Sequence, residues 1–448
     1  MPSQGTIGDR VRGLRLNRRM SQAQLAGPDL SDSYVSLIES GKRTPTPVVA
    51  RLLAERLGCT TEFLLHGIEP RQRIDTELGL RHAELELRHG DPTLAADRFT
   101  EIVKAAGEEN ALLAAHARLG RARALEAQGK LGPAVEAYER LRREAAAHPE
   151  RLADLPLTVA LCRCYQRAGD RLRARDLGLR ALEQAARLSV TQGEIAVDLA
   201  AALMETRSEH DKASAELDYV RQVLAASGIP EPMDRSAEVH ALWKASVVAA
   251  TGEDSALAVR LADDAIAAGR PARLTLQLAR IAMGWARLAV SSVDEAEELA
   301  TAARQVFATF SEAGHELGES LIVHAHVKLR SGETAQATEL ANSAADLLHD
   351  AKGTGPITAH LVLAEAALMG GGTEAAGHLQ AARGLLESLN DPIYGTDRQA
   401  AMAWRSLGDL YGQAGVRKEQ TAAYRRALEA AGVRSAMAGV ATDASVSH

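Results

Sequence analysis

Aromatic residues are scarce in this 448-residue chain, which holds three Trp, seven Tyr and four Phe. Sheets are built best from β-branched and aromatic side chains, so the scarcity argues against a β-rich fold. Ala, Leu and Arg dominate instead, and Ala and Leu favour helix. Cysteine is just as sparse. Cys59, Cys162 and Cys164 are too few for a disulfide framework. Cys162-Arg163-Cys164 has neither the spacing nor the companions of a zinc site, so no metal and no cofactor is expected. No apolar run approaches the roughly 18 residues that a membrane span needs. The first twenty residues lack the apolar centre of a secretory signal. What is present, 46% hydrophobic and 25% charged residues, is ordinary for a globular chain. The expectation is an all-α, cytoplasmic protein with no membrane contact.

A net charge of −7 speaks against nucleic acid, but its distribution does not. Residues 1–70 carry nine Lys/Arg against seven Asp/Glu, so the acidity lies in the rest of the chain. Five of those cations, Arg10, Arg12, Arg15, Arg18 and Arg19, fall within ten positions. A basic stripe on an acidic protein predicts a small DNA-contacting head on a body with another task.

The head reads as five short helices. The first covers roughly residues 7–18, with Ile7, Val11 and Leu14 on one face. Ser21 followed by Gln24 is a capping-box pattern that starts the second, and Gly27-Pro28-Asp29 breaks it. Ser31 caps the third, Asp32 complements its dipole, Val35 and Ile38 face inward, and Gly41 ends it. Thr46-Pro47 opens the fourth and Gly58 closes it. Thr60 starts the last, with Phe63 and Leu64 turned inward and Gly67 at its end.

The string SQAQLA…LSDSYVSLIESGKRTPTPVVARLLAERLGCTTEFLL resembles the phage-repressor-type helix-turn-helix domain of the Cro/Xre family, over residues 6–67. The resemblance implies roles. Its second helix crosses the phosphate backbone, where Gln22 meets a phosphate, and its third presents N-terminal residues to base edges in the major groove. The DNA-binding set it implies is Gln22, Ser31, Asp32, Ser33, Tyr34, Ser36, Leu37, Lys42 and Arg43. Lys42 and Arg43 follow the recognition helix and touch phosphates. Asp32 suits cytosine N4 or serves only the helix terminus, Leu37 suits a thymine methyl, and Tyr34 reaches a phosphate or a base. Arg15 and Glu39 stand where this family forms a structural ion pair.

After a short linker at residues 68–75, helical patterns recur to residue 431. Trp404, Leu407, Gly408 and Tyr411 fit the tetratricopeptide (TPR) signature, and Tyr424 and Ala427 follow at second-helix positions. Leu161, Tyr165, Gly169, Ala174 and Ala181 keep the same phase, with Cys162 in place of Gly. Nine hairpins are expected, with first helices starting near residues 77, 110, 152, 193, 235, 271, 315, 355 and 396. The domain reading is therefore a helix-turn-helix head at 1–67, a linker, a TPR-like α-solenoid at 76–431 for ligand binding and dimerisation, and a flexible tail at 432–448. Another α-solenoid geometry, such as HEAT, stays open.

Stacked hairpins form a concave binding surface. Repeat phase places Arg163, Gln166, His326, Arg330 and Arg405 on it, and Arg121, Trp243 and Arg287 lie on first helices nearby. Several Arg residues in a groove would suit a carboxylate or a peptide C-terminus. Trp243, Trp285 and Trp404 by default read as core or hairpin-filling residues. The joined architecture is similar to the Rgg/PlcR/PrgX peptide-responsive quorum-sensing regulators, which implies a homodimer, a double-stranded DNA operator and a signalling peptide. The chain has four Asn, at 17, 110, 342 and 390, none in a clear groove position, so a small-molecule effector stays open beside a peptide. The expected function is a ligand-modulated, sequence-specific transcription regulator. The alternative is a TPR interaction scaffold that the head localises to DNA. No Gly-rich phosphate loop, nucleophile elbow or HExxH motif points to an enzyme.

Overall fold

A computed structural model describes residues 6–66, 70–106, 110–206, 215–252, 254–288, 292–351, 353–372, 374–389 and 398–432. Among these residues the fold is all-α, with twenty-two α-helices and no strand. No helix there is long and apolar enough to cross a membrane. Gly67, residues 68–69 of the expected linker, and the expected tail from Val433 lie outside the described residues.

The head holds α1 (Ile7–Asn17), α2 (Gln22–Ala26), α3 (Asp32–Glu39), α4 (Pro47–Arg56) and α5 (Thr61–His66). Its boundaries follow side-chain caps. Ser21 and Gln24 form the expected capping box, and a second, unanticipated one joins Thr6 and Asp9 at α1. Ser31 accepts from the Tyr34 N–H, and Thr46 from the Val49 N–H ahead of Pro47. Val11, Leu25, Val35, Ile38, Leu53, Leu57 and Leu64 are fully buried in one core, while Phe63 is only half-buried. Each such side chain contributes about 1.5–3 kcal/mol of transfer free energy.

The rest of the chain forms helical hairpins close to the expected registers. They are α6 (Pro70–His89) with α7 (Pro92–Ala106), α8 (Ala111–Ala127) with α9 (Leu131–Ala147), and α10 (Asp154–Arg167) with α11 (Arg171–Arg187). Next come α12 (Glu194–Thr206) with α13 (Ala215–Ser227), then α14 (Ser236–Thr251) and α15 (Ser255–Arg287). Last are α16 (Val293–Thr309), α17 (Gly314–Arg330) with α18 (Thr334–Leu347), α19 (Gly355–Met369) with α20 (Ala375–Ser388), and α21 (Arg398–Gln413) with α22 (Arg417–Ala430). Two boundaries differ from expectation. α6 already begins at Pro70, inside the stretch read as linker. No helix starts near residue 271, because α15 spans Ser255–Arg287 with Pro271 inside it.

Small residues let the paired helices approach. Gly408 lies so close to the Tyr424 ring that an added Cβ would stand 2.6 Å from it. Cys162, at the position where the repeat prefers glycine, sets its Sγ 3.1 Å from the Ala174 carbonyl. Ser246 makes the corresponding contact, donating to the Ala258 carbonyl at 2.6 Å across the same twelve-residue separation. Gly169, Gly332 and Gly415 close three first helices at φ of +83°, +81° and +77°, a conformation that costs a side chain but not glycine. Cys59, Cys162 and Cys164 are all free thiols.

The chain divides into two compact units, residues 1–174 with 235–270, and residues 175–234 with 271–448. In the first, the hairpin of α14 and the start of α15 returns to pack on α6. Leu78 and Leu85 meet Val239, Ala258, Ala262 and Ala265 in a buried cluster. His82 Nε2 lies 2.9 Å from Ser246 Oγ. Ser246 already donates to Ala258, so its oxygen must accept and Nε2 must carry the proton. In the second unit, Val306 and Phe307 of α16 pack on Val323 and Val327 of α17, and Trp404 and Leu407 of α21 on Leu379 of α20. Trp285 and Trp404 are buried, as expected of core residues.

Burial holds His82, His324, His326 and His360 below the ordinary imidazole range, helped by cationic neighbours such as Arg98 at His82 and Arg304 at His324. His324 is 5% exposed, and neither of its ring nitrogens has a hydrogen-bond partner. For each, the folded pKa lies below the unfolded one. The unfolded chain therefore binds more protons, and stability falls as pH drops below about 6.5. Calorimetry of the full chain is expected to show a level melting temperature above about pH 7.5 and a falling one from about 6.5 to 5.5. A level midpoint throughout would contradict this account.

Candidate nucleic-acid interface

Several of the head's arginines bond to its own backbone and carboxylates. Arg10 donates to the Leu64 carbonyl at 3.0 Å and the Leu65 carbonyl at 2.6 Å, satisfying the end of α5. Arg15 is only 11% exposed and points at Glu39. Arg18 reaches the Gly58 carbonyl at 3.4 Å. Two of the five cations of the expected basic stripe, Arg10 and Arg15, are thus engaged within the head, and Arg18 makes one exposed contact. Arg12, Arg18 and Arg19 of the stripe are exposed, as are Lys42 and Arg43 in the turn after α3. Arg56, not singled out in the sequence, caps the end of α2 through the Leu25 and Ala26 carbonyls and pairs with Asp29.

The Arg15–Glu39 pair is a two-pronged fork. Nε lies 2.5 Å from Oε1 and Nη2 lies 2.9 Å from Oε2, while Nη1 donates to the Met20 carbonyl at 2.9 Å. Gln22 Nε2 adds a third donor to Glu39 at 2.9 Å. Burial works against the Glu39 charge, but the hydrogen bonds from Arg15 and Gln22 outweigh it and hold the carboxyl below its usual range. The cluster locks α1, the start of α2 and the end of α3 together. Gln22, expected at a phosphate, therefore uses its side-chain amide inside the head.

Around that anchor, α3 presents Asp32, Ser33, Ser36 and Leu37 to solvent, with Ser31 as its cap. Asp32 Oδ1 accepts from the Ser33 N–H at 2.9 Å, which favours its helix-terminus role over base reading. Tyr34 is half-buried against the core, and the Arg43 guanidinium lies 4.8 Å from its ring centroid, a cation–π contact absent from the sequence reading. Lys42 and Arg43 are exposed in the turn after α3. The contact predicts that Tyr34→Leu mobilises the Arg43 guanidinium while Tyr34→Phe does not. NMR relaxation of the Arg43 Nε–H is the check, and equal mobility in both variants would refute it.

The residues expected on the concave wall are divided between the two compact units. Arg121, Arg163, Gln166 and Trp243 belong to the first compact unit, and Arg287, His326, Arg330 and Arg405 to the second. Arg121, Arg287, Arg330 and Arg405 are exposed. Gln166 is half-buried on α10. Arg163 differs from expectation. Its Nη2 is 2.9 Å from Glu126 Oε2, its Nε holds the other oxygen, and Tyr138 Oη donates to the same carboxylate at 2.9 Å. Burial disfavours the Glu126 charge, but Arg163 more than offsets it. The guanidinium thus ties α10 to α8 instead of awaiting a ligand. Trp243 packs, half-buried, on the cluster shared by α6, α14 and α15. His326 donates from Nδ1 to the Ile322 carbonyl at 3.1 Å and stays neutral, leaving Nε2 as its acceptor.

Residues 11–64 match the family described as helix-turn-helix. Among curated proteins no relative matches. Solved structures similar in course include the apo form of RapI, at 12% identity, with 89% of this chain and 95% of that chain covered and a TM-score of 0.44. The apo form of the competence regulator ComR from Streptococcus vestibularis is 15% identical, with 81% and 98% covered and a TM-score of 0.32. Bacillus thuringiensis PlcR in complex with the peptide PapR7 and DNA is 10% identical, with 93% and 98% covered and a TM-score of 0.26.

Proposed function

We propose that this chain is a sequence-specific, DNA-binding transcription regulator whose operator affinity is set by an effector, a peptide or small molecule, held by the helical hairpins. The observation that carries the DNA part is the helix-turn-helix head itself. A buried Arg15–Glu39–Gln22 cluster fixes α3 so that its outer face is exposed beside Lys42 and Arg43. A helix so held can lie in the major groove while the two cations meet phosphates. One small head offers few contacts, so a homodimer reading two half-sites roughly 34 Å apart, or a multiple of that, belongs to the proposal. The effector part rests on the hairpins, whose stacking is a common basis for extended binding surfaces. An effector acts only by binding the DNA-competent and incompetent arrangements with different affinity.

The test is duplex binding by the full chain at several salt concentrations, against scrambled competitor. A large preference that persists as salt weakens both is the expected result. Lys42→Ala and Arg43→Ala are each expected to weaken binding to all duplexes and reduce the salt slope by about one. No preference for any duplex would end the proposal. For the effector, the readout is a change in operator affinity on adding short synthetic peptides or a small-molecule extract with no other protein present. A change that needs a second protein would mean that the hairpins recruit a partner instead.

A further inference from the structure

The outer face of α3 carries a narrow chemistry. The helix reads Asp-Ser-Tyr-Val-Ser-Leu-Ile-Glu, with no Arg, Lys, Asn or Gln. Two-pronged recognition of guanine needs Arg or Lys, and that of adenine needs Asn or Gln. Neither is on offer. Asp32 already accepts from the Ser33 N–H, and its charge opposes a phosphate-lined groove. Ser33 and Ser36 are short and can bond to several bases alike.

Leu37 is different in kind. It is 38% exposed, while Val35 and Ile38 on the same helix are fully buried. Its backbone is also the hinge point of the basic turn. The Leu37 carbonyl accepts from the Lys42 N–H at 3.0 Å and the Arg43 N–H at 3.2 Å. Ser40 Oγ donates to it at 3.1 Å. Two backbone hydrogen bonds therefore set the apolar side chain at a fixed place relative to the two cations. Phosphate contacts that position the head would position Leu37 with it. In the major groove, the group that matches an apolar side chain is the C5-methyl of a pyrimidine, present on thymine.

We propose that Leu37 is the specificity-determining residue of the head and reads a pyrimidine C5-methyl group, so that operator choice rests on a methyl contact in place of two-pronged hydrogen bonds. The proposal rests on the DNA-binding reading above and names what that surface recognises.

Duplexes are first selected in vitro with the full chain, and each thymine of the selected sequence is then replaced in turn by deoxyuridine, which loses the methyl and keeps the pairing. One thymine per half-site is expected to respond, with affinity falling about fourfold, the effect of one buried methyl-sized group. At that position 5-methylcytosine should bind better than cytosine. Leu37→Ala should bind the thymine and uracil duplexes alike, and Leu37→Met should keep the difference. Leu37 lies outside the core, and an unchanged melting curve confirms that each variant is folded. If no thymine responds, or if Leu37→Ala responds as the parent does, the inference is overturned while the DNA-binding reading stands. If no duplex is enriched at all, that reading fails and the inference goes with it.

Discussion

Glu39→Ala is expected to destabilise the head by about 3–5 kcal/mol, because it leaves the Arg15 guanidinium buried without its partner. Arg15 is 11% exposed and Glu39 5%, so water cannot take over the lost contacts. Gln22 Nε2 loses its acceptor as well. The readout is amide hydrogen exchange of α1 and α3 in the full chain, since no Trp lies in the head to report by fluorescence. Protection there should fall by about two to three and a half orders of magnitude, at about 1.4 kcal/mol per decade. A paired variant, Arg15→Met with Glu39→Leu, should recover most of it, because replacing both charges with apolar groups of similar volume is close to neutral. Unchanged protection in Glu39→Ala would show that the fork contributes nothing.

Gly8→Ala should come next in size, with a cost of about 3 kcal/mol. Gly8 sits in the first turn of α1, buried against the end of α3. An added Cβ would stand 2.8 Å from the Glu39 carbonyl oxygen and closer still to that of Ile38. These are backbone atoms at the end of α3, so they cannot swing aside as a side chain can. Accommodation would push α3 away from α1 and pull the Arg15–Glu39 fork out of register. Calorimetry of the full chain should resolve an earlier transition for the head, and duplex affinity should fall with it. Gly13→Ala is the matched control, because a Cβ there meets nothing within 4 Å and alanine favours helix. Equal behaviour of the two variants would rule out the close approach.

Much of the head was legible before any coordinates. The caps at Ser21, Ser31 and Thr46, the inward Val11, Val35 and Ile38, and the Arg15–Glu39 pair all stand where the sequence places them. Each depends on residues a few positions apart or on a pattern that many such domains share. The basic stripe points to the helix-turn-helix head but does not say which of its arginines face outward. A cluster of arginines is the same in composition whether it faces outward or caps carbonyls, and Arg10 and Arg15 do the second. Likewise repeat phase alone puts Arg163 in the groove, but Glu126, thirty-seven residues away, holds its guanidinium. The Tyr34–Arg43 contact had no sequence signal, since aromatic and cation stand on either side of a turn whose course is set by the Leu37 carbonyl.

Local order in this chain was settled by local chemistry. Helix starts follow from side chains that act within one or two turns of their own backbone, and the small-residue approaches recur at a fixed repeat phase, so both are present in the string of letters. Non-local partnership was not. Periodicity suggests that each hairpin rests on the next, yet α14 and the start of α15 lie against α6, with His82 donating to Ser246 across 164 positions. An apolar stripe states that a helix face must be covered and is silent on what covers it. The choice among many equally apolar partners depends on shape fit and a few buried polar matches, and those exist only once the chain is folded.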